Sequence, residues 1–209
     1  MPNKKSELEP VDFWQEETRL FSQGISPICG CDEAGAGPLA GPVYAAAVVL
    51  PGGLVIDGLN DSKKLTEKKR EALFDVICAV AEDFAIVSVS ETEIDEINIL
   101  NARMKAMDFA IRELKIQPAF ALIDGTISRG ISIPNETLVK GDSRSANIAA
   151  ASILAKVSRD RFMLEMAKEY PAYHFEKHKG YGTKLHYEML RQYGPCPIHR
   201  KTFLKKLHK

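Results

Sequence analysis

The 209-residue sequence predicts a mixed α/β sheet with helices on both faces. Three observations carry this. Two apolar runs, at about 27–33 and 42–50, are joined by a short turn rich in glycine and proline, which makes them antiparallel neighbours. Further strand-like runs at 84–90 and 119–124 are separated by stretches with helical spacing. A right-handed crossover then sets the 119–124 strand parallel to the first and brings Asp124 beside Asp32.

In chain order, residues 1–9 are expected to fray. Residues 11–23 are expected to form a short helix with Phe13, Trp14, Leu20 and Phe21 inward, an appendage to the sheet. After Pro51-Gly52-Gly53 a further strand is expected at 54–57. Thr66 is placed to cap a helix whose inward stripe is Leu73, Val76, Ile77 and Val80. Between Ile99 and Lys115, the residues Leu100, Met104, Met107, Ile111 and Leu114 recur at three- and four-residue steps, a core-facing helix. Pro118 ends it, and AFALID closes a buried strand on Asp124. TLVKGD, 137–142, reads as another strand ending on an acid. A long helix follows from about 145 to 169, with Ala149 to Ala151 allowing close packing on a sheet. A polar aromatic loop, a helix at 184–193 and a basic tail complete the chain.

The composition is that of an ordinary globular protein, and no apolar run approaches the ~18 residues of a membrane span. Four cysteines without framework spacing and the absence of an apolar leader point to the cytoplasm. The zero net charge hides an asymmetry. Residues 1–100 hold 18 acids and 8 bases, whereas residues 174–209 hold 2 acids, 9 bases and all five histidines. A basic end on a neutral chain suits a polyanion surface.

Candidate chemistry gathers around ICGCDEAGAGPLAGPV. Asp32 and Glu33 are adjacent, so in a regular strand their side chains face opposite ways. For both to serve one site the chain is expected to leave regular geometry near Glu33, where Gly35 and Gly37 follow. Acids in an apolar strand are costly unless paired or metal-bound. Asp124 ends a strand before Gly125. Asp142 lies before a long helix, where a capping role is the competing reading. Four such carboxylates suit Mg²⁺ or Mn²⁺, which also supply the counter-charge. Gly35, Gly37 and Gly41 do not form a dinucleotide fingerprint: the spacing is one residue too long, and a strand-like run follows where a helix is required. The histidines lack zinc spacing. Lys63 and Lys64, in a polar turn, can neutralise phosphate. Tyr181, between Gly180 and Gly182, can stack on a sugar or base.

These residues resemble ribonuclease HII, the bacterial type 2 ribonuclease H. The resemblance covers about residues 27–202 in the ordered blocks CDEAGAGPLAGPV, LNDSKKLTEKKRE, LIDG, VKGDSRSANIAAASILAKVSRD, HKGYGT and GPCPIHR. It implies a ribonuclease H-like mixed five-stranded sheet flanked by helices, with a C-terminal helical extension. The expected division is an N-terminal extension at 1–23, a catalytic domain at 24–170 and a basic segment at 171–209 that completes the substrate groove. It implies metal ligation by Asp32, Glu33, Asp124 and Asp142, with Mg²⁺ or Mn²⁺ in a two-metal site. The implied activity is endonucleolytic hydrolysis of RNA in RNA–DNA hybrids, with cutting 5′ to single ribonucleotides in duplex DNA. That leaves 3′-hydroxyl and 5′-phosphate ends and begins ribonucleotide removal. The backbone of Gly35, Ala36 and Gly37, together with Tyr181, would read the 2′-hydroxyl, and Lys63 and Lys64 would hold phosphates. No membrane is involved, and a monomer is expected. The sequence departs from the family pattern at Ala36, where the pattern has arginine. Two rivals stay open: another two-metal nuclease on the same fold, and a hybrid-binding protein whose catalysis is impaired by Ala36.

Overall fold

The computed structural model describes residues 12–205; the fraying expected at 1–9 lies outside them. Five strands form one mixed sheet: β1 (Ile28–Ala34), β2 (Val43–Val49), β3 (Asp83–Val89), β4 (Phe120–Asp124) and β5 (Asn135–Leu138), in the order β3-β2-β1-β4-β5. β1, β2 and β3 are antiparallel neighbours, and β4 and β5 continue parallel to β1. Cys31 lies beside Ile123 in the β1–β4 register, so the next pair of residues, Asp32 and Asp124, sits level at the strand ends. The right-handed crossover had predicted this pairing.

Helices cover both faces. On one side α4 (Ile99–Arg112) packs on Cys29, Cys31, Val43, Ala45 and Ala47. Met104, Met107, Ile111 and Leu114 are buried there. Leu100, on the first turn, is 41% exposed because it precedes the part of the helix that lies against the sheet. On the other side α5 (Ala146–Glu169) and α2 (Glu67–Val80) pack on Ala46 and Val48. Thr66 caps α2 by accepting from the Lys69 amide. Leu73 and Ile77 face α5, while Val76 falls at the edge of that stripe and is 43% exposed. α5 approaches β1 closely because residue 30 is glycine: a Cβ there would lie 2.2 Å from the Ile148 amide nitrogen. A short helix, α3 (Glu91–Ile97), joins β3 to α4.

Three expectations change. Residues 54–57 form no strand; they turn beneath Phe13 and Trp14, whose indole donates to the Leu54 carbonyl at 2.9 Å. The strand expected over 137–142 stops at Leu138, and Asp142 lies in a 3-10 turn, Gly141–Ser143, after Lys140 takes a left-handed φ of 55°. β1 keeps regular pairing through both acids to Ala34.

The N-terminal helix α1 (Gln15–Phe21) is tied into the domain by a buried carboxylate. Glu17 accepts from the Ser145 hydroxyl at 2.6 Å and from the Asn147 amide at 3.2 Å, at the start of α5. Of its four expected inward residues, Leu20 is buried and Phe21 is 37% exposed. At the other end, α6 (Phe175–His178) and α7 (Lys184–Tyr193) form a small lobe around Phe175, Tyr173 and Leu190. The lobe closes on Leu39 and Ala40 of the glycine-proline turn and on Met163 of α5.

Candidate active site

The strand register decides where each acid points. Asp32 is opposite Ala46, which packs with α5, and Glu33 is opposite Ala45, which packs with α4. Asp124 lies level with Asp32 on the neighbouring strand end. Its Oδ1 accepts from the Gly141 amide at 2.8 Å, which joins it to the turn that carries Asp142. Asp142 is not the cap of α5. Ser145 takes that role, accepting from the Ile148 amide at 3.1 Å, so the buried Asp142 carboxylate is free to face the cleft. Lys63 and Lys64 line this cleft, of about 320 Å³, together with Asp61, Asp124, Lys140, Asp142 and Ser143. Lys63 Nζ stands 3.6 Å from Asp142 Oδ2.

The electrostatics are those of crowded acids without enough cations. Burial holds the Asp32 carboxyl well above the usual range, and the charges of Glu33 and Asp124 add to this. Burial pushes Glu33 up to about 7 against the opposing pull of Arg103. Asp142 is raised by burial and by Asp61 and Asp124. Burial works against the Lys63 ammonium, but Asp32, Asp142, Asp61 and Asp124 together outweigh it and raise its pKa. The acids divide among nearby partners. Glu33 Oε1 meets Arg103 Nη2 at 2.5 Å, Asp142 meets Lys63, and Asp124 meets a backbone amide. Among the described residues no three acidic, histidine or cysteine side chains are drawn together at metal-binding spacing. The donor set is nonetheless entirely hard oxygen, and Glu33 Oε2 is buried without a hydrogen-bond partner. These residues fit a divalent ion such as Mg²⁺ or Mn²⁺.

Directly after the acids, the glycine-proline stretch from Gly35 to Pro42 is held from behind by two buried arginines. Arg200 Nη2 donates to the Gly35 carbonyl at 2.6 Å, and Nη1 to that of Ala36 at 3.0 Å. Its Nε and Nη2 also reach the Gly41 carbonyl at 2.9 and 2.7 Å. Arg159 donates to the carbonyls of Pro42, Ala40 and Lys179. Burial lowers the Arg159 pKa, and it lowers that of Arg200 with help from the neighbouring Arg159 charge. Both still donate from every nitrogen, as guanidinium does. Gly35 has φ +97°, and a Cβ there would meet Arg159 Nε at 2.1 Å, so glycine is required on both counts. Tyr181 stands over the outer side of the turn, its ring 3.9 Å from the position of a Gly37 Cβ, with the Arg159 guanidinium 5.7 Å from the ring centre. The Tyr181 carbonyl lies 2.9 Å from His186 Nδ1, and His186 Nε2 lies 3.0 Å from His199 Nε2. Burial pushes both histidines down to about 4, so this pair is neutral.

The structure brings Lys63, Lys64, Asp124 and Asp142 to one cleft and sets Asp32 level with Asp124, while Glu33 turns to Arg103 on the α4 side and Tyr181 stands by the glycine turn. Sequence reasoning missed Asp61, Arg103, Arg159 and Arg200. Asn60-Asp61-Ser62 carries the signal of a side-chain-capped turn, and Asp61 does accept from the Lys63 amide at 2.9 Å. The arginines have no local signature, since each acts on residues far away in the chain.

A family model described as Ribonuclease HII matches residues 29–208. The chain belongs to the ribonuclease HII family. The curated Ribonuclease HII of Endomicrobium trichonymphae is 57% identical over 188 residues, which cover 90% of each chain. Ribonuclease HII is an endoribonuclease, and this chain is an enzyme of that type. Among solved structures, the ribonuclease H2 of Pyrococcus horikoshii aligns with a TM-score of 0.70 at 28% identity, over 87% of this chain and 95% of that one. Bst-RNase HIII in complex with Mn²⁺ shares the fold, with a TM-score of 0.62 at 16% identity over 92% and 69% of the two chains.

Proposed function

We propose that this chain is a divalent-metal-dependent enzyme that hydrolyses RNA in RNA–DNA hybrids and cuts on the 5′ side of a single ribonucleotide within duplex DNA, leaving 3′-hydroxyl and 5′-phosphate ends. Membership of the ribonuclease HII family supports the hybrid-directed endoribonuclease activity. The observation that carries the finer reading is continuity. The acids Asp32 and Glu33 run directly into a turn whose carbonyls are drawn inward by Arg200, with Tyr181 against its outer side.

Asp32, Glu33, Asp124 and Asp142 would hold the metal. Bound Mg²⁺ or Mn²⁺ would activate water and stabilise the leaving 3′ oxygen. The Mn²⁺ complex of the related ribonuclease HIII fold is in keeping with this donor set. The chain's own residues then do the rest. With the carbonyls of Gly35 and Ala36 bound from behind, backbone groups on the glycine-flanked turn can meet a 2′-hydroxyl, the group that separates RNA from DNA. Tyr181 stacks on the adjoining deoxyribose and favours a ribose–deoxyribose junction. Lys63, Lys64 and Lys140 line the cleft and neutralise phosphates.

The test is a duplex DNA carrying one ribonucleotide, incubated with Mg²⁺ or Mn²⁺. Expected is a single cut 5′ to the ribonucleotide, absent with EDTA and lost in Asp124→Asn. Persistent cleavage by that variant would overturn the four-acid site. Binding of hybrid by the wild type without any cleavage in either metal would make the chain a hybrid-binding protein.

A further inference from the structure

The contact between Glu33 and Arg103 has no part in the chemistry above. Arg103, on the second turn of α4, brings Nη2 to 2.5 Å from Glu33 Oε1. Structural pairs of these groups are frequently two-pronged, with both oxygens and two guanidinium nitrogens engaged. This one has a single contact. Glu33 Oε2 and Arg103 Nε are both buried and both without a hydrogen-bond partner. The Glu33 side chain is 11% exposed and that of Arg103 28%, so the guanidinium reaches the rim of the site. Lys63, Lys64 and Lys140 stand with Asp142 in the cleft. The glycine turn itself carries no side-chain cation, because residue 36 is alanine.

We propose that Arg103 is a phosphate-binding residue held in reserve: it neutralises Glu33 while no divalent ion is bound, and turns to a phosphate of the nucleic-acid strand when an ion takes the carboxylate. This rests on Glu33 being a metal ligand. A guanidinium and a metal ion compete for one carboxylate, so the residue acts with opposite signs on the two ligands. It weakens metal binding in the free protein and strengthens the grip on nucleic acid. A purely structural arginine would support both.

The experiment measures both ligands on the full chain. Mn²⁺ binding is read by calorimetry without nucleic acid, in mildly alkaline buffer. Hybrid binding is read by fluorescence anisotropy in Ca²⁺ over a series of salt concentrations. Arg103→Ala is expected to bind Mn²⁺ roughly 3- to 10-fold more tightly. The same variant should bind hybrid ~10-fold more weakly, with a salt slope reduced by about 1. Arg103→Lys should recover part of the hybrid affinity as a point charge. In a Glu33→Gln background, Arg103→Ala should leave Mn²⁺ affinity unchanged. Weaker or unchanged Mn²⁺ binding in Arg103→Ala, or unchanged hybrid binding, overturns the proposal. If the wild type itself binds no Mn²⁺ and cuts no ribonucleotide duplex, it is the proposed function that fails. If the wild type does both and Arg103→Ala matches its affinities, only the role of Arg103 falls.

Discussion

Replacing Arg200 with methionine should loosen the glycine turn without touching an acid. The arginine is fully buried, and among the described residues no carboxylate pairs with it. Its guanidinium makes four hydrogen bonds to the carbonyls of Gly35, Ala36 and Gly41. Methionine replaces much of the stem volume and none of the donors. Each stranded carbonyl costs about 1–3 kcal/mol. The variant no longer buries a cation, which offsets part of that loss. A net destabilisation of ~3 kcal/mol is expected, read as a lower midpoint in urea at unchanged slope. Steady-state cleavage of a hybrid should show KM rising more than kcat falls, because the turn grips the strand and leaves the carboxylates in place. Arg200→Lys should fall between, since one ammonium cannot span three carbonyls. A loss below ~1 kcal/mol together with an unchanged KM would refute the view that these carbonyls need the guanidinium.

Three further predictions concern charge. Asp32→Asn should stabilise the metal-free protein at neutral pH, since the unfolded chain ionises this carboxyl freely, whereas in the folded protein burial and the charges of Glu33 and Asp124 oppose its ionisation. It should also lower cleavage by ~10²–10³-fold, and a thermal melt in EDTA lower than wild type would contradict the repulsion. Ala36→Arg should raise kcat/KM on a single-ribonucleotide duplex by roughly 10-fold through a charge-assisted phosphate contact; an equal or smaller value would count against a phosphate beside the turn. The His186–His199 pair has folded pKa values of about 4, below the ordinary 6.5, so the unfolded chain binds more protons between those values. Its contribution is complete above pH 6.5 and lost as pH falls toward 4. The stability gap between wild type and His199→Gln, followed by urea unfolding, should therefore narrow over that range; a constant gap would mean that the pair is not buried neutral.

Much of the site was legible because its signals are local. Asp32 and Asp124 each end an apolar run, and a crossover rule alone set their strands side by side. Local signals also picked out Tyr181 between two glycines and the lysines of a polar turn as candidates, and the structure sets the lysines in the cleft and Tyr181 by the glycine turn. Of the three expectations that changed, two failed at the site itself for lack of tertiary information. Nothing local told that β1 stays regular past Glu33, which pairing with Ala45 enforces. Nor could TLVKGD show that its strand stops at Leu138, where the last partner on β4 is Asp124 itself.

By itself the sequence determined strands β1 to β4, helices α2, α4, α5 and α7, the Thr66 cap of α2 and the acids at two strand ends, because hydrophobic period and side-chain capping act over a few residues. The tertiary structure decided which face each acid occupies, and so divided Glu33 from Asp32. It also placed Asp142 on a turn beside Asp124, set Arg103 against Glu33, and brought Arg200 across 164 residues to the carbonyl of Ala36. Those choices depend on sheet register and on packing between distant elements, where a carbonyl or carboxylate accepts whichever donor the fold delivers.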